Sequence, residues 1–201
     1  DVLNIGKTEE ELEGEYPNYE FEVVPGDFTI SKDANAIQIT SASGSWEYDG
    51  HAHSKPEYTV TYGGEKIESD GNVFTLPTGD KLTVTADASA TVTNVSDTDE
   101  ENNTFTYELE NEDNYSSVES IYGDLGITKK AVTITVANDS KVYGNDDPEF
   151  EDATLTGGVG EELAGIDLTV DRSNEDEEAG TYNDVLNIGK TEEELEGEYP
   201  N

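Results

Sequence analysis

Histidine occurs twice, at His51 and His53, close behind Asp49. On a strand, residues i and i+2 share a face. With Asp49 or Glu57 as a third ligand, the pair has the composition of a transition-metal site. Two histidines beside an Asp49-Gly50 turn equally suit an ordinary surface. Carboxylates are far more abundant, with 48 Asp and Glu against 10 Lys and Arg and a net charge of −38 over 201 residues. They gather at Asp97, Asp99, Glu100 and Glu101, then at Asp146, Asp147, Glu149, Glu151 and Asp152, then at Glu175 to Glu178. Calcium takes roughly six to eight oxygen ligands, and a bound cation would relieve self-repulsion. No stretch has the spacing of a D-x-[DN]-x-[DN]-G loop. Asp146, Asp147, Glu149, Asp97 and Asp99 are therefore the candidate Ca²⁺ ligands, set against the plainer reading of solvated acidic faces, and no cofactor is expected.

Paired carboxylates also serve glycoside hydrolysis, but their abundance here removes the meaning of any one pair. There is no Ser-His-Asp order and no nucleophile elbow, and Cys and Met are both absent. Thiol nucleophiles, thiolate metal sites and disulfides are thus excluded, and the chain reads as no enzyme. Eleven Tyr and one Trp remain. Trp46, Tyr48, Tyr58 and Tyr62 fall in one stretch and suggest a sugar-stacking platform, although tyrosines also build small cores with their hydroxyls at the edge. Lys66, Lys81 or Lys141 has the chemistry for a Lys–Asn or Lys–Asp isopeptide crosslink, but spacing selects no partner. The charge excludes nucleic acid, whose phosphates would be repelled. It disfavours anionic membranes, and no apolar run approaches the ~18 residues of a membrane span.

Such residues need elements to hold them. Leu, Ile, Val and Phe make up about one fifth of the chain, at the border of compositional disorder. Against disorder stand 47 Val, Ile and Thr residues and a regular alternation. Ile37 and Ile39, Tyr58 to Tyr62, Leu82 to Thr85, Thr91 to Thr93, Phe105 to Tyr107, and Val132, Ile134 and Val136 all alternate apolar with polar. That is the pattern of half-buried strands. Turn signals separate them, among them Pro25-Gly26, Asp49-Gly50, Gly63-Gly64, Asp70-Gly71, Pro77-Thr78-Gly79 and Gly157-Gly158. Helix is scarce. Thr8 with Glu11 fits a capping box, and Gly14 is expected to end that helix after about one turn. Glu161 to Ala164 fits one further turn.

The chain also repeats itself. Residues 1–18 and 184–201 are identical, DVLNIGKTEEELEGEYPN, at an offset of 183. This implies tandem copies of a 183-residue unit in a longer array, with the present chain one unit plus an overlap. A fainter repeat lies within. Ala36 to Gly50 matches Ala131 to Asn145 at an offset of 95, and Asn18 to Lys32 matches Asn114 to Lys129. Three segments follow: 1–32 as the end of a preceding module, 33–129 as one β module, and 130–201 as a second module lacking its last hairpin. The only copy of that hairpin, Tyr19 to Lys32, sits at the other end of the chain. The expectation is an open β edge at 130–201 that residues 1–32 of another molecule complete, head to tail.

Ser45-Trp46-Glu47-Tyr48-Asp49-Gly50 resembles the YDG-type module of bacterial surface adhesins. Lys141-Val142-Tyr143-Gly144-Asn145-Asp146-Asp147-Pro148-Glu149 resembles the Tyr-Gly-x-x-Asp-Pro motif of MBG-type modules, as do Ala179-Gly180-Thr181-Tyr182 and Gly26 to Lys32. The resemblance spans essentially the whole chain through short motifs. It implies an extracellular stalk or adhesive repeat on a bacterial cell surface or wall, flanked by identical repeats and without catalytic residues. The expected fold is all-β, two small tandem sandwich-like modules in an elongated rod, or β-grasp-like modules with one short helix. The expected function is a spacer that projects a distal binding region. The other reading is a weak glycan- or protein-binding repeat that acts through avidity.

Overall fold

The structure, a computed structural model, describes residues 6–201. The fold is mainly β. Helix α1 (Glu9–Glu15) opens it and helix α2 (Glu192–Glu198) closes it. Both carry the full capping box, Thr8 with Glu11 and Thr191 with Glu194. Gly14 lies inside α1 instead of ending it. The stop is Pro17, because the residue before a proline is pushed out of the α region; Tyr16 has φ −126° and ψ 69°.

Residues 33–129 hold eleven strands. They are β1 (Ile37–Ser41), β2 (Gly44–Glu47), β3 (Tyr58–Tyr62), β4 (Glu65–Ile67), β5 (Ser69–Asp70), β6 (Val73–Thr75), β7 (Lys81–Ala86), β8 (Asp99–Asn103), β9 (Phe105–Leu109), β10 (Val118–Ile121) and β11 (Gly123–Thr128). They form two four-stranded sheets, β10-β1-β3-β4 and β5-β6-β7-β9, and a three-stranded sheet β2-β11-β8. The alternation seen in the sequence becomes burial: β1 alternates between buried and half-buried side chains. Ile37, Ile39 and Val60 from one four-stranded sheet share a core with Phe74, Leu82, Val84 and Phe105 from the other. A second cluster joins Tyr48, Val92, Leu125 and Ile127. The expected strand at Thr91 to Thr93 reduces to an isolated bridge between Val92 and His53.

The end of this segment differs from expectation. Val118 to Thr128 is not a hairpin, since only Tyr122 separates β10 from β11. It is one bent ribbon that runs parallel to β1 and then to β2. The two bends cross at Gly123, where a Cβ would lie 2.6 Å from the carbonyl carbon of Ala42. Ser41 fastens the crossing, accepting from the Gly123 amide (2.9 Å) and donating to the Asn103 carbonyl (2.7 Å). Asn103 in turn donates to the carbonyls of Ala42 and Lys55. The two buried polar side chains at the bend, Ser41 and Asn103, are thereby hydrogen-bonded, as burial requires.

Residues 130–201 are sparser. They form two short antiparallel pairs, β12 (Thr133–Thr135) with β13 (Thr154–Thr156), and β14 (Asp171–Arg172) with β15 (Leu186–Asn187). Ala153 and Val170 are the only buried apolar residues there, against fourteen in 33–129. Glu161 to Ala164 forms a turn, as the sequence suggests. Residues 17–32 carry no strand. Tyr19-Glu20-Phe21-Glu22-Val23 alternates apolar with acid, as a strand would, but a strand exists only when a neighbour takes its hydrogen bonds.

Candidate functional site

The acidic candidates do not converge. Asp97 accepts the backbone amides of Thr93 (2.9 Å) and Asn94 (2.8 Å), capping a 3₁₀ turn, and these bonds hold its carboxyl below the ordinary value. Asp99 accepts the amide of Glu100 at the start of β8. Asp146 and Glu149 are exposed. Asp147 is bound to two cations, Lys141 (2.7 Å) and Arg172 (3.0 Å), which both also reach Glu177. Among the described residues no group of three His, Asp or Glu is placed to hold a metal ion. His51 is exposed, whereas His53 pairs with Asp49 (3.0 Å) and stacks on Trp46, ring centroids 5.0 Å apart. Lys66 and Lys81 are exposed, and Lys141 is engaged in the network just described.

The four aromatic candidates separate into two places. Trp46 and Tyr48 belong to the second cluster. Tyr58 and Tyr62 pack on the first core. Strand β3 and strand β2 lie in different sheets, so proximity in sequence does not make one platform.

Instead, Tyr48 marks a seam between the two halves of the chain. Its hydroxyl donates to both oxygens of Glu162, at 2.9 and 3.0 Å. That bond, together with burial, raises its pKa above the ordinary 10. Lys130 pairs with Glu47 (2.7 Å), and Lys129 with Glu196 of α2 (2.9 Å). At the chain end, the Asn201 side chain accepts the Val95 amide (3.0 Å) and donates to Asn94 (3.4 Å). Spacing gives no hint of these contacts, because their partners lie more than 65 residues apart.

Beside the seam runs an apolar groove of about 760 Å³. Its apolar wall is Ile134 of β12 with Val132 and Val136 just outside the strand, Leu163 and Ile166 from the turn region, and Leu195 of α2, and charged side chains such as Lys130 and Glu162 also line it. Among the described residues β12 pairs only with β13, so its other edge is open. An open edge beside an apolar groove is suited to receiving a strand. No family model, curated protein or solved structure matches the chain. No helix among the described residues is long and apolar enough to cross a membrane.

Proposed function

We propose that this chain is a repeating unit of a long, extracellular bacterial surface protein of the YDG/MBG-like kind, a spacer that projects a distal binding region. The observation that carries this reading is the identity of 1–18 with 184–201. Both copies build the same capped helix, Glu9–Glu15 and Glu192–Glu198. An exact repeat of an element at each end fits an array that re-uses one unit. The seam supports a spacer: Tyr48–Glu162, Lys130–Glu47 and Asn201–Val95 tie consecutive segments and leave little slack. The acidity is distributed, with nine acids and two bases in 1–32, 19 and four in 33–129, and 20 and four in 130–201. Like charge along an array disfavours folding back, within a Debye length of ~8 Å at physiological salt.

The test is small-angle scattering from chains of one, two and three 183-residue units. The maximum dimension should grow by a constant increment per unit. A dimension that saturates would refute the spacer. Retention on mucin by three units but not by one would instead support the avidity reading.

A further inference from the structure

We propose that the groove and open edge of residues 130–201 receive residues 19–32 of a second copy of this chain, which add the bent ribbon that residues 118–128 supply to the first half. The inference concerns the isolated chain in solution and does not depend on where the parent protein resides.

The argument is a comparison of the chain with itself. Strand β1 and the 132–136 segment correspond at an offset of 95, and on one edge each pairs antiparallel with a strand later in the chain, β1 with β3 and β12 with β13. On its second edge β1 carries β10, in parallel, whereas the second edge of β12 is empty among the described residues. The sequence matching Val118 to Thr128 is Phe21 to Ser31. The consequences appear residue by residue. Leu125 and Ile127 are 0 % and 3 % exposed, and their counterparts Phe28 and Ile30 are 76 % and 84 % exposed. Tyr48, which packs with Leu125 and Ile127, is 7 % exposed, while its counterpart Tyr143 is 73 % exposed. Both halves of one packing arrangement are thus present and unmade, at opposite ends of the chain.

The register of the seated ribbon transfers directly. Ile37 pairs with Val118 and Ile39 with Ser120, so Val132 would pair with Phe21 and Ile134 with Val23. Registered partners in a parallel pair point to the same side of the sheet, which places Phe21 and Val23 on the face that lines the groove. Trp46 pairs with Ile127, so Lys141 would pair with Ile30, leaving Phe28 and Ile30 to cover Tyr143. Gly26 corresponds to Gly123 and would cross at Ala137, where the seated ribbon tolerates no Cβ. In the isolated chain, nothing lies within 4 Å of a Cβ at Gly26, so a side chain there costs the monomer no contact. Donor and acceptor surfaces differ, so the contact is heterologous and propagates.

Light scattering across a concentration series, at ~0.15 M salt or above to screen the like charges, reads the outcome. The wild-type chain should form species at multiples of 21.8 kDa. Gly26→Val should return it to monomer, with the melting curve that the wild-type chain shows when dilute, and Phe28→Asp should do the same. Appending a copy of residues 19–32 after Asn201 should also give a monomer, because the groove is then filled from within. In the wild-type chain, amides of 132–136 should gain exchange protection on association, and in Gly26→Val they should not. A monomer at every concentration, or association that survives both Gly26→Val and the appended segment, would overturn the proposal.

Discussion

Tyr58 and Tyr62 share strand β3, but their hydroxyls meet opposite fates. Tyr62 donates to Asp33 and accepts from Asn35 (3.1 Å). The Tyr58 hydroxyl is buried without a partner among the described residues, its ring edge-on to Phe105 at 5.5 Å. A buried polar atom without a bond costs about 1–3 kcal/mol of desolvation. Tyr58→Phe should therefore be neutral or stabilise by about 1 kcal/mol, read from urea midpoints, while Tyr62→Phe should lower the midpoint. Asp80 supplies a pH test. Hydrogen bonds from Tyr115 (2.6 Å) and Asn111 (2.8 Å) hold its carboxyl below the ordinary 3.8. A depressed folded pKa contributes stability that is complete above 3.8 and disappears as pH falls through the lower folded value. Asp80→Asn should thus reduce stability at neutral pH and flatten its decline below about pH 4; an unchanged acid limb would exclude this role for Asp80. None of these pairs is legible in the sequence. Asp33 and Tyr62 lie 29 residues apart, and only strand pairing decides which hydroxyl finds a carboxylate.

Elements were more legible than contacts. Alternation located β1, β3, β7, β9 and β12, because a half-buried sheet imposes period two on its residues. It is also present in Tyr19 to Val23, where the strand is not, since alternation records a preference for a face and cannot supply a neighbour. The segment that matches the expected hairpin is a bent ribbon instead, and its Gly123 serves close approach to the backbone of Ser41 and Ala42. Gly123→Ala tests that reading, because its Cβ would press on the backbone of Ser41 and Ala42, which cannot rotate away. The expected cost is about 1–3 kcal/mol, against no loss for Gly26→Ala in the monomer. The two identical helices offer a second comparison. A helix of seven residues is too short to persist by propensity alone. Leu195 of α2 lines the groove, and Lys129 reaches Glu196. The amides of Leu195 and Tyr199 should accordingly exchange more slowly than those of Leu12 and Tyr16, measured by native-state hydrogen exchange.

At the scale of the whole molecule, apolar burial and charge are distributed differently. Fourteen buried apolar residues lie in 33–129 and two in 130–201, yet the two segments carry nearly equal acid excess. In 130–201 each of the four bases is already in an ion pair: Lys130, Lys141, Arg172 and Lys190. Most of their carboxylate partners stand in water, at 51–60 % side-chain exposure for Glu47, Glu177 and Glu198, where an ion pair contributes little, so the second half has few apolar contacts to set against its own repulsion. Thermal unfolding should proceed in two steps, residues 130–201 first, as a calorimetric trace would resolve. Salt should act chiefly on the first step. The acids are scattered over faces instead of gathered around one ion, so relief of repulsion should come from screening, which depends on ionic strength and not on the identity of the cation. Added NaCl should raise the lower transition, and CaCl₂ at matched ionic strength should raise it by the same amount. A larger response to calcium would require a site that binds the folded state specifically, and the first place to test would be Asp147, by asking whether Asp147→Asn abolishes the excess.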